Sequence, residues 1–501
     1  MKIEKVNDSV IRIADIGREE SLEISELYRY KVHNYQTMRK NPKFKNWNGD
    51  INLFDKRNNT LDYGHWLHFY ETMVKRGYDV NIDNRLFPEQ KFKDKEELET
   101  IIENFVKPMS DGEQITPYDY QIDALYHALE TDRSVILSAT SSGKSLIIYC
   151  LTWFYDNVIL KDDDSYILVI VPDKGLVEQM YSDFSEYSNG DYENITQKIN
   201  SDYSKILNKR VIVSTFQSAH KMPDLIENAG CIIVDEVHRA KSKQIKDILQ
   251  SAHNCKYKHG LTGTLDGVEA NEMLIQGLFG SVVKFVTQRE LIDAGRACEV
   301  KVNIIGFRYS NELIKQYDEE WEEWKINFPH SNKYQFEIDF INNCKPRNDM
   351  LLNLISYVDG NTFVLFDRKD SHGIKLYEQY KEDFDNTYLI TGDIKDRKDI
   401  LDEFKEKSKA TLFATSSIMS TGISVKNLHN LFFASSKKAK IATIQSIGRL
   451  MRLHDSKDIA YVYDIVDVIG KDNITQKHID ERIKHYDDEQ IKYEMTIIDI
   501  E

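Results

Sequence analysis

The stretch Arg133–Ser145, RSVILSATSSGKS, decides how the rest of the chain is read. Val135, Ile136 and Leu137 make a short apolar strand, small residues follow, and the run ends in Gly143-Lys144-Ser145. Leu146-Ile147-Ile148-Tyr149 then opens a helix. A loop between a strand and a helix N-terminus turns backbone amides toward anionic oxygens, here those of Ser141, Ser142 and Gly143. Lys144 can reach terminal phosphates, and the Ser145 hydroxyl can hold Mg²⁺. Ser138 stands where such loops usually begin with glycine. Turns of small residues also cap ordinary helices, so the residues downstream carry the decision.

Downstream, apolar runs alternate with helical stretches: Tyr166 to Val171, Val211 to Ser214, Cys231 to Val234, and the shorter His259 to Thr264. That pattern predicts a parallel sheet buried on both faces, with polar strand ends gathered on one rim. One such end is Asp235-Glu236-Val237-His238. An acid directly after an apolar strand suits Mg²⁺, which makes Asp235 the candidate metal ligand and Glu236 the candidate base for an attacking water. Upstream, Pro117 to Gln121 opens an amphipathic helix, and the Gln121 amide can pair with the edge of adenine.

A second parallel pattern follows in Thr362 to Phe366, Tyr388 to Ile390, Thr411 to Ala414, Leu431 to Ala434 and Ala460 to Ile465. It has no phosphate loop of its own. Its helix Gln445–Arg452, QSIGRLMR, is expected to set Arg449 and Arg452 on one face at i and i+3. Two guanidiniums so placed could neutralise charge on a transferring phosphoryl group.

Residues 1 to 88 have a different character. Val10 to Ile16 alternates like a strand, Leu22 to Val32 looks helical, and Asp50 to Phe54 looks like a strand. Between Arg29 and Arg57 cations outnumber acids, and Tyr30, Tyr35, Phe44 and Trp47 are interleaved with them. Lys43, Lys45 and Trp47 are therefore candidate nucleic-acid contacts, with cations on phosphates and rings on exposed bases. A formal net charge of −16 confines any such contact to a local groove.

The 501 residues allow about two to four domains. There is no apolar run of the ~18 residues that span a bilayer, and MKIEKVNDSV is not a signal peptide, so no membrane and a cytoplasmic location are expected. Five scattered cysteines without metal spacing fit a reducing compartment.

Taken in order, Gln121, SATSSGKS (138–145), VPDKGLVEQM (171–180), STFQS (214–218), DEVH (235–238), TGT (262–264), TGISV (421–425) and QSIGRLMR (445–452) resemble the superfamily II helicases with a DExH box. With NPKFKNWNGDINLFD (41–55) and TGISVKNLH (421–429), the chain is similar to the recombination helicases of T-even bacteriophages. The resemblance implies an α/β fold, with two RecA-like parallel-sheet domains in tandem and a small α+β N-terminal domain. The expected boundaries are 1–88 for the N-terminal domain, 89–112 for a linker and 113–290 for the ATP-binding domain. They continue with 291–346 for a helical connector, 347–470 for the second RecA-like domain and 471–501 for a helical tail.

It also implies ATP and Mg²⁺ as cofactors, with Lys144, Asp235, Glu236, Arg449 and Arg452 catalytic and Gln445 in the ATP cleft. His238, Thr262 and Thr264 would couple hydrolysis to movement, and Thr215, Gln217 and Thr421 would track one strand. Single-stranded and branched DNA are the expected partners, with a single-strand-binding protein beside them, in the host cytoplasm if phage-encoded. An RNA helicase, a duplex translocase and an ATP-switched annealing protein are the alternatives.

Overall fold

Three isoleucines, Ile3, Ile11 and Ile13, each fully buried, explain why the chain begins with a sheet: their alternation gives two strands one apolar face. These strands are β1 (Lys2–Lys5) and β2 (Val10–Ala14). Four more follow in the N-terminal region: β3 (Arg29–Lys31), β4 (Asp50–Asn52), β5 (Thr60–Asp62) and β6 (Asn81–Ile82). The sheet runs β5-β2-β1-β6, while β3 and β4 pair apart as an antiparallel ribbon. The helix expected over Leu22–Val32 ends at Leu27, and the chain turns there into β3. The computed structural model describes residues 1–501 apart from 33–34, 40, 204, 329–331, 395, 420–424, 436–439 and 471–472. It divides into two units, Met1–Ser138 with Ser142–Val286, and Ala139–Ser141 with Thr287–Glu501.

The segment 89–112 is packed rather than free. Its helix Lys95–Ile101 continues as a wider turn to Val106, and a small ribbon follows, β7 (Met109–Ser110) with β8 (Glu113–Gln114). Leu98, Ile102 and Val106, at a four-residue spacing, are buried in the same core as the helix Lys144–Phe154. The high charge of the segment lies on its outer faces and hid this stripe.

The first large sheet comprises β9 (Arg133–Ser138), β10 (Tyr166–Val171), β11 (Thr196–Ile199), β12 (Val211–Thr215), β13 (Ala229–Asp235), β14 (Tyr257–Thr262) and β15 (Val282–Val286). All pairs are parallel, in the order β11-β12-β10-β13-β14-β9-β15. The two strands absent from the sequence reading, β11 and β15, are the sheet's edges, where TQKI and VVKFV carry polar residues among apolar ones.

The second unit has its own seven-stranded parallel sheet, the fold of a second RecA-like domain. Its strands are β16 (Glu299–Tyr309), β17 (Asn361–Phe366), β18 (Thr387–Ile390), β19 (Thr411–Thr415), β20 (Leu428–Phe433), β21 (Ile459–Val468) and β22 (Lys492–Ile500), in the order β18-β19-β17-β20-β21-β16-β22. Residues 291–346 are therefore not only a helical connector. They supply β16, paired on both sides, before the helices Asn311–Asn327 and Lys333–Asn343. The tail is likewise a helix, Ile474–Asp488, followed by an edge strand. Lys301, Asn303, Gly306 and Arg308 interrupt the apolar run of β16 and concealed it. Among the described residues no helix is long and apolar enough to cross a membrane.

Within the first unit the N-terminal sheet is joined to the large sheet through buried cations. Lys258 Nζ lies 2.9 Å from each of Asp8 O, Ser9 Oγ, Leu249 O and Ala252 O. Arg133 donates to the carbonyls of Asp8 (2.5 Å), Cys255 (2.9 Å) and Lys256 (3.0 Å), and its guanidinium lies 4.1 Å from the centre of the Tyr63 ring. Gly64 approaches the helix Glu269–Phe279 so closely that a Cβ there would lie 2.1 Å from the Gln276 carbonyl oxygen.

Candidate nucleotide site and nucleic-acid contacts

The carboxyl ends of β9, β13 and β14 gather the first set of candidates, with β14 between the other two. Gly143 caps the helix that begins at Lys144 and has φ +77°, where a side chain would be strained. A Cβ at Gly143 would also lie 2.4 Å from Gln121 Nε2 and displace that amide. That nitrogen donates to the Ser142 carbonyl at 2.9 Å, and Oε1 accepts from the Tyr118 amide at 2.8 Å. Tyr120, unmarked in the sequence reading, donates its hydroxyl to the same Ser142 carbonyl at 2.9 Å. Gln121 thus holds the loop at two carbonyls, because Nε2 also donates to that of Gly143 at 3.4 Å.

Two further contacts shape the loop. The hydroxyls of Ser138 and Ser142 are 2.6 Å apart and both buried, which shows how serine replaces the usual first glycine: it ties the loop's start to its turn. Lys144 Nζ donates back to the Ser138 carbonyl at 3.3 Å. Ser141 is itself left-handed, at φ 68°. The Ser145 hydroxyl lies 2.9 Å from that of Tyr187, at the end of the helix Lys174–Tyr187.

At the end of β13 the Asp235 carboxylate accepts from the Glu236 amide at 2.9 Å. Glu236 has φ 52° and ψ 52°, a left-handed conformation costing about 1–2 kcal/mol for a non-glycine residue. The Thr262 hydroxyl ends β14 and lies 3.2 Å from Glu236 Oε2, 3.1 Å from the Thr264 carbonyl and 3.0 Å from His238 Nδ1. A hydroxyl has one hydrogen to give. If it goes to Glu236 or to the Thr264 carbonyl, Nδ1 of His238 must carry a hydrogen to complete the contact. His238, Thr262 and Thr264 are all buried, so this chain of polar groups is set without solvent.

The remaining candidates are placed less uniformly. Thr215 caps the helix Phe216–Ala219 by accepting from the Ser218 amide at 3.4 Å, and Gln217 is exposed beside it. Thr421 lies outside the described residues. In the second unit Gln445 is buried in the helix Lys440–Leu450 and Arg449 is in its last turn, half-buried. Arg452 does not share a helical face with Arg449: the helix stops at Leu450 and Arg452 lies in the turn beyond, its amide donating to the Arg449 carbonyl at 3.4 Å. In the N-terminal ribbon Lys43 and Lys45 are exposed. Trp47 packs on Phe44 at 5.7 Å between ring centres and donates its indole N–H to the Asp50 carbonyl at 3.0 Å.

Comparison with known proteins shows the family. The family described as "Type III restriction enzyme, res subunit" matches residues 114–267, and "Helicase conserved C-terminal domain" matches 346–454. A putative HsdR subunit of a type I restriction enzyme from Vibrio vulnificus shares the fold, at 17% identity and a TM-score of 0.54 over 81% of this chain and 72% of that one. The crystal structure of UvsW from bacteriophage T4 aligns over 99% of both chains at 30% identity and a TM-score of 0.51. The ATP-dependent DNA helicase UvsW of Enterobacteria phage T4 is 31% identical over 504 residues, 95% of each chain. With 31% identity over 95% of its length, the chain belongs to the superfamily II helicases, in the family of UvsW.

Proposed function

We propose that this ATP-dependent superfamily II helicase moves on DNA and remodels branched substrates: forks, four-way junctions and displacement loops. The observation that carries the reading is the cluster at the ends of β9, β13 and β14. There Gln121 holds the loop that leads into Lys144, and Thr262 links Glu236 to His238.

In this reading the amides of Ser141, Ser142 and Gly143, with Lys144, hold the phosphates, and Gln121 meets the adenine edge. A hydroxyl (Ser145) and a carboxylate (Asp235) are the kind of donor pair Mg²⁺ takes alongside phosphate oxygens. The ion would supply charge neutralisation at the phosphates. Glu236 orients and deprotonates the attacking water, and its strained backbone fixes that carboxylate. By likeness to the helicase family, Gln445 is assigned to ATP, and Arg449 and Arg452 to the charge on the phosphoryl group. His238, Thr262 and Thr264 report the state of that centre to the rest of the fold.

Nucleic acid is held by Thr215, Gln217 and Thr421 through phosphates and backbone, which suits an acidic protein. The exposed Lys43 and Lys45, with Phe44 and Trp47, add a grip on the branch. The likeness to an ATP-dependent DNA helicase extends over 95% of the chain, this N-terminal region included, which supports DNA over RNA. The test is ATP turnover with no nucleic acid, single-stranded DNA, a synthetic four-way junction or RNA, for this chain and for Lys144→Ala. Strong stimulation by the junction, absent in the variant, is expected. Stimulation by RNA alone overturns the DNA reading, and turnover that survives in Lys144→Ala overturns the assignment of the loop.

A further inference from the structure

The helix that carries Gln445 and Arg449 ends in an unusual way. A helix leaves its last carbonyls without partners, and chains commonly stop there with a left-handed glycine. Here Leu450, Met451, Arg452 and Leu453 contain no glycine, and Met, Arg and Leu all favour continuing the helix. The stop is imposed from elsewhere. Lys457 Nζ donates to the Leu450 carbonyl at 2.5 Å, and the Cys298 amide donates to the Met451 carbonyl at 2.9 Å. The same ammonium donates to the carbonyl of Leu428, the first residue of β20, at 2.7 Å. Lys457 is only 7% exposed, so water offers those two carbonyls little in its place.

We propose that Lys457 is a positioning residue that stops the helix at Leu450 and thereby sets the direction in which Arg452 is presented. The inference rests on the proposed role of Arg452 in phosphoryl transfer. Without the ammonium, the Leu428 carbonyl loses that donor and the Leu450 carbonyl keeps only the weak thiol donor of Cys298, 3.7 Å away, so the amides beyond Leu450 are its nearest replacements. Helix then runs on through Met451 and Arg452. Each residue added turns the next side chain by ~100°, which brings Arg452 onto the face of Arg449 and away from its present place. The clasp also ties the helix end to the start of β20, so the two cannot shift independently.

The ammonium needs its proton to make both bonds. Burial and the Arg452 charge push its pKa down to about 8, and the Cys298 thiol works the other way. His429 and His454 are the other titratable groups that face this turn, and burial pushes the pKa of His429 down.

The experiment compares Lys457→Met and Lys457→Arg with the parent in DNA-stimulated ATP turnover, with hydrogen exchange of residues 447–455. For Lys457→Met, kcat should fall on the order of tenfold with KM for ATP within about twofold, as expected for misplacement of a group needed only at the transition state. Amides of Leu453 and His454 should gain protection as the helix extends. Lys457→Arg should recover most of kcat. Unchanged kcat, or a rise in KM with no fall in kcat, overturns the inference. If Lys457→Met does not fold, the parent decides: kcat should fall as pH rises through about 8, and Lys457→Arg should move that fall upward. An identical alkaline profile in both overturns the inference. Lys144→Ala run alongside separates the cases, because loss of turnover there with normal kcat in Lys457→Met leaves the nucleotide site standing and removes only Lys457.

Discussion

The hydroxyls of Tyr187 and Ser145 lie 2.9 Å apart, although the two residues come from different helices. A hydroxyl that offers a lone pair to a cation must point its hydrogen elsewhere, and the Tyr187 oxygen is placed to accept it. Tyr187→Phe should keep the fold, since its ring packs on Tyr149 at 5.5 Å. One neutral hydrogen bond is worth about 1 kcal/mol, so the Mg²⁺ concentration for half-maximal binding of a fluorescent, non-hydrolysable ATP analogue should rise about fivefold. No rise would show that Tyr187 only fills space.

Two histidines make the first unit sensitive to acid. His259 sits between the Tyr155 hydroxyl (2.7 Å) and that of Ser134 (3.2 Å), and His65 packs edge-on against Tyr28. Burial pushes both pKa values down to about 3; the Lys91 and Arg133 charges add to the effect at His259 and the His68 charge at His65. In the unfolded chain both would titrate near 6.5. Between about pH 6.5 and 3 the unfolded state therefore holds more protons, and the stability present above pH 6.5 drains away as pH falls. Urea midpoints measured from pH 7.5 to 4.5 should drop, and His259→Gln should flatten the slope. An equal slope in the variant would place the acid sensitivity elsewhere.

Gly64 predicts how the N-terminal sheet comes loose. Gly64→Ala puts a Cβ within 2.1 Å of a backbone oxygen of the helix Glu269–Phe279, and neither backbone can yield cheaply. Overpacking of this kind costs about 1–3 kcal/mol. Limited proteolysis should then cut near residues 76–94 at conditions where the parent is intact, while the helix Lys144–Phe154 keeps its exchange protection. Parent-like resistance would mean the junction tolerates the extra carbon.

In the second unit, Arg347 donates to Asp467 at 3.1 Å with both side chains fully buried. Arg347 also donates to the Ala434 carbonyl, and the Tyr309 hydroxyl donates to Asp467. Removing one partner strands a charge, so Arg347→Met should cost about 3–5 kcal/mol. Asp467→Leu added to it should recover part of that loss, because no buried carboxylate then remains. Hydrogen exchange in β16 and β21 measures both. A double variant no better than the single one would count against the charge explanation.

The parts that were legible in the sequence are those dictated by local chemistry. A strand, small residues and Gly143-Lys144-Ser145 can be little else than a loop entering a helix, and the central strands β10, β12 and β13 show as unbroken apolar runs because both their faces are covered. Edge strands such as β11, β15 and β22 are half solvated and lose that signal. β16 is central yet carries Lys301 and Arg308, so its membership rests on pairing partners far along the chain. The site divides in the same way. Gln121 and Glu236 lie within motifs, whereas Tyr187 and Lys457 act over distances that no local pattern marks. The end of the helix at Leu450 was hidden because its cause is a lysine beyond the helix.

The ammonium of Lys258 has a consequence for mechanics. Lys258 lies near one end of β14 and Thr262 ends it, so the residue that grips the N-terminal sheet and the one that touches Glu236 belong to a single strand. At about 3.3 Å per residue they are separated by ~13 Å of hydrogen-bonded backbone. A load pulling on the N-terminal sheet thus has a short, stiff rod leading to the hydroxyl beside the Glu236 carboxylate, with no flexible joint between them.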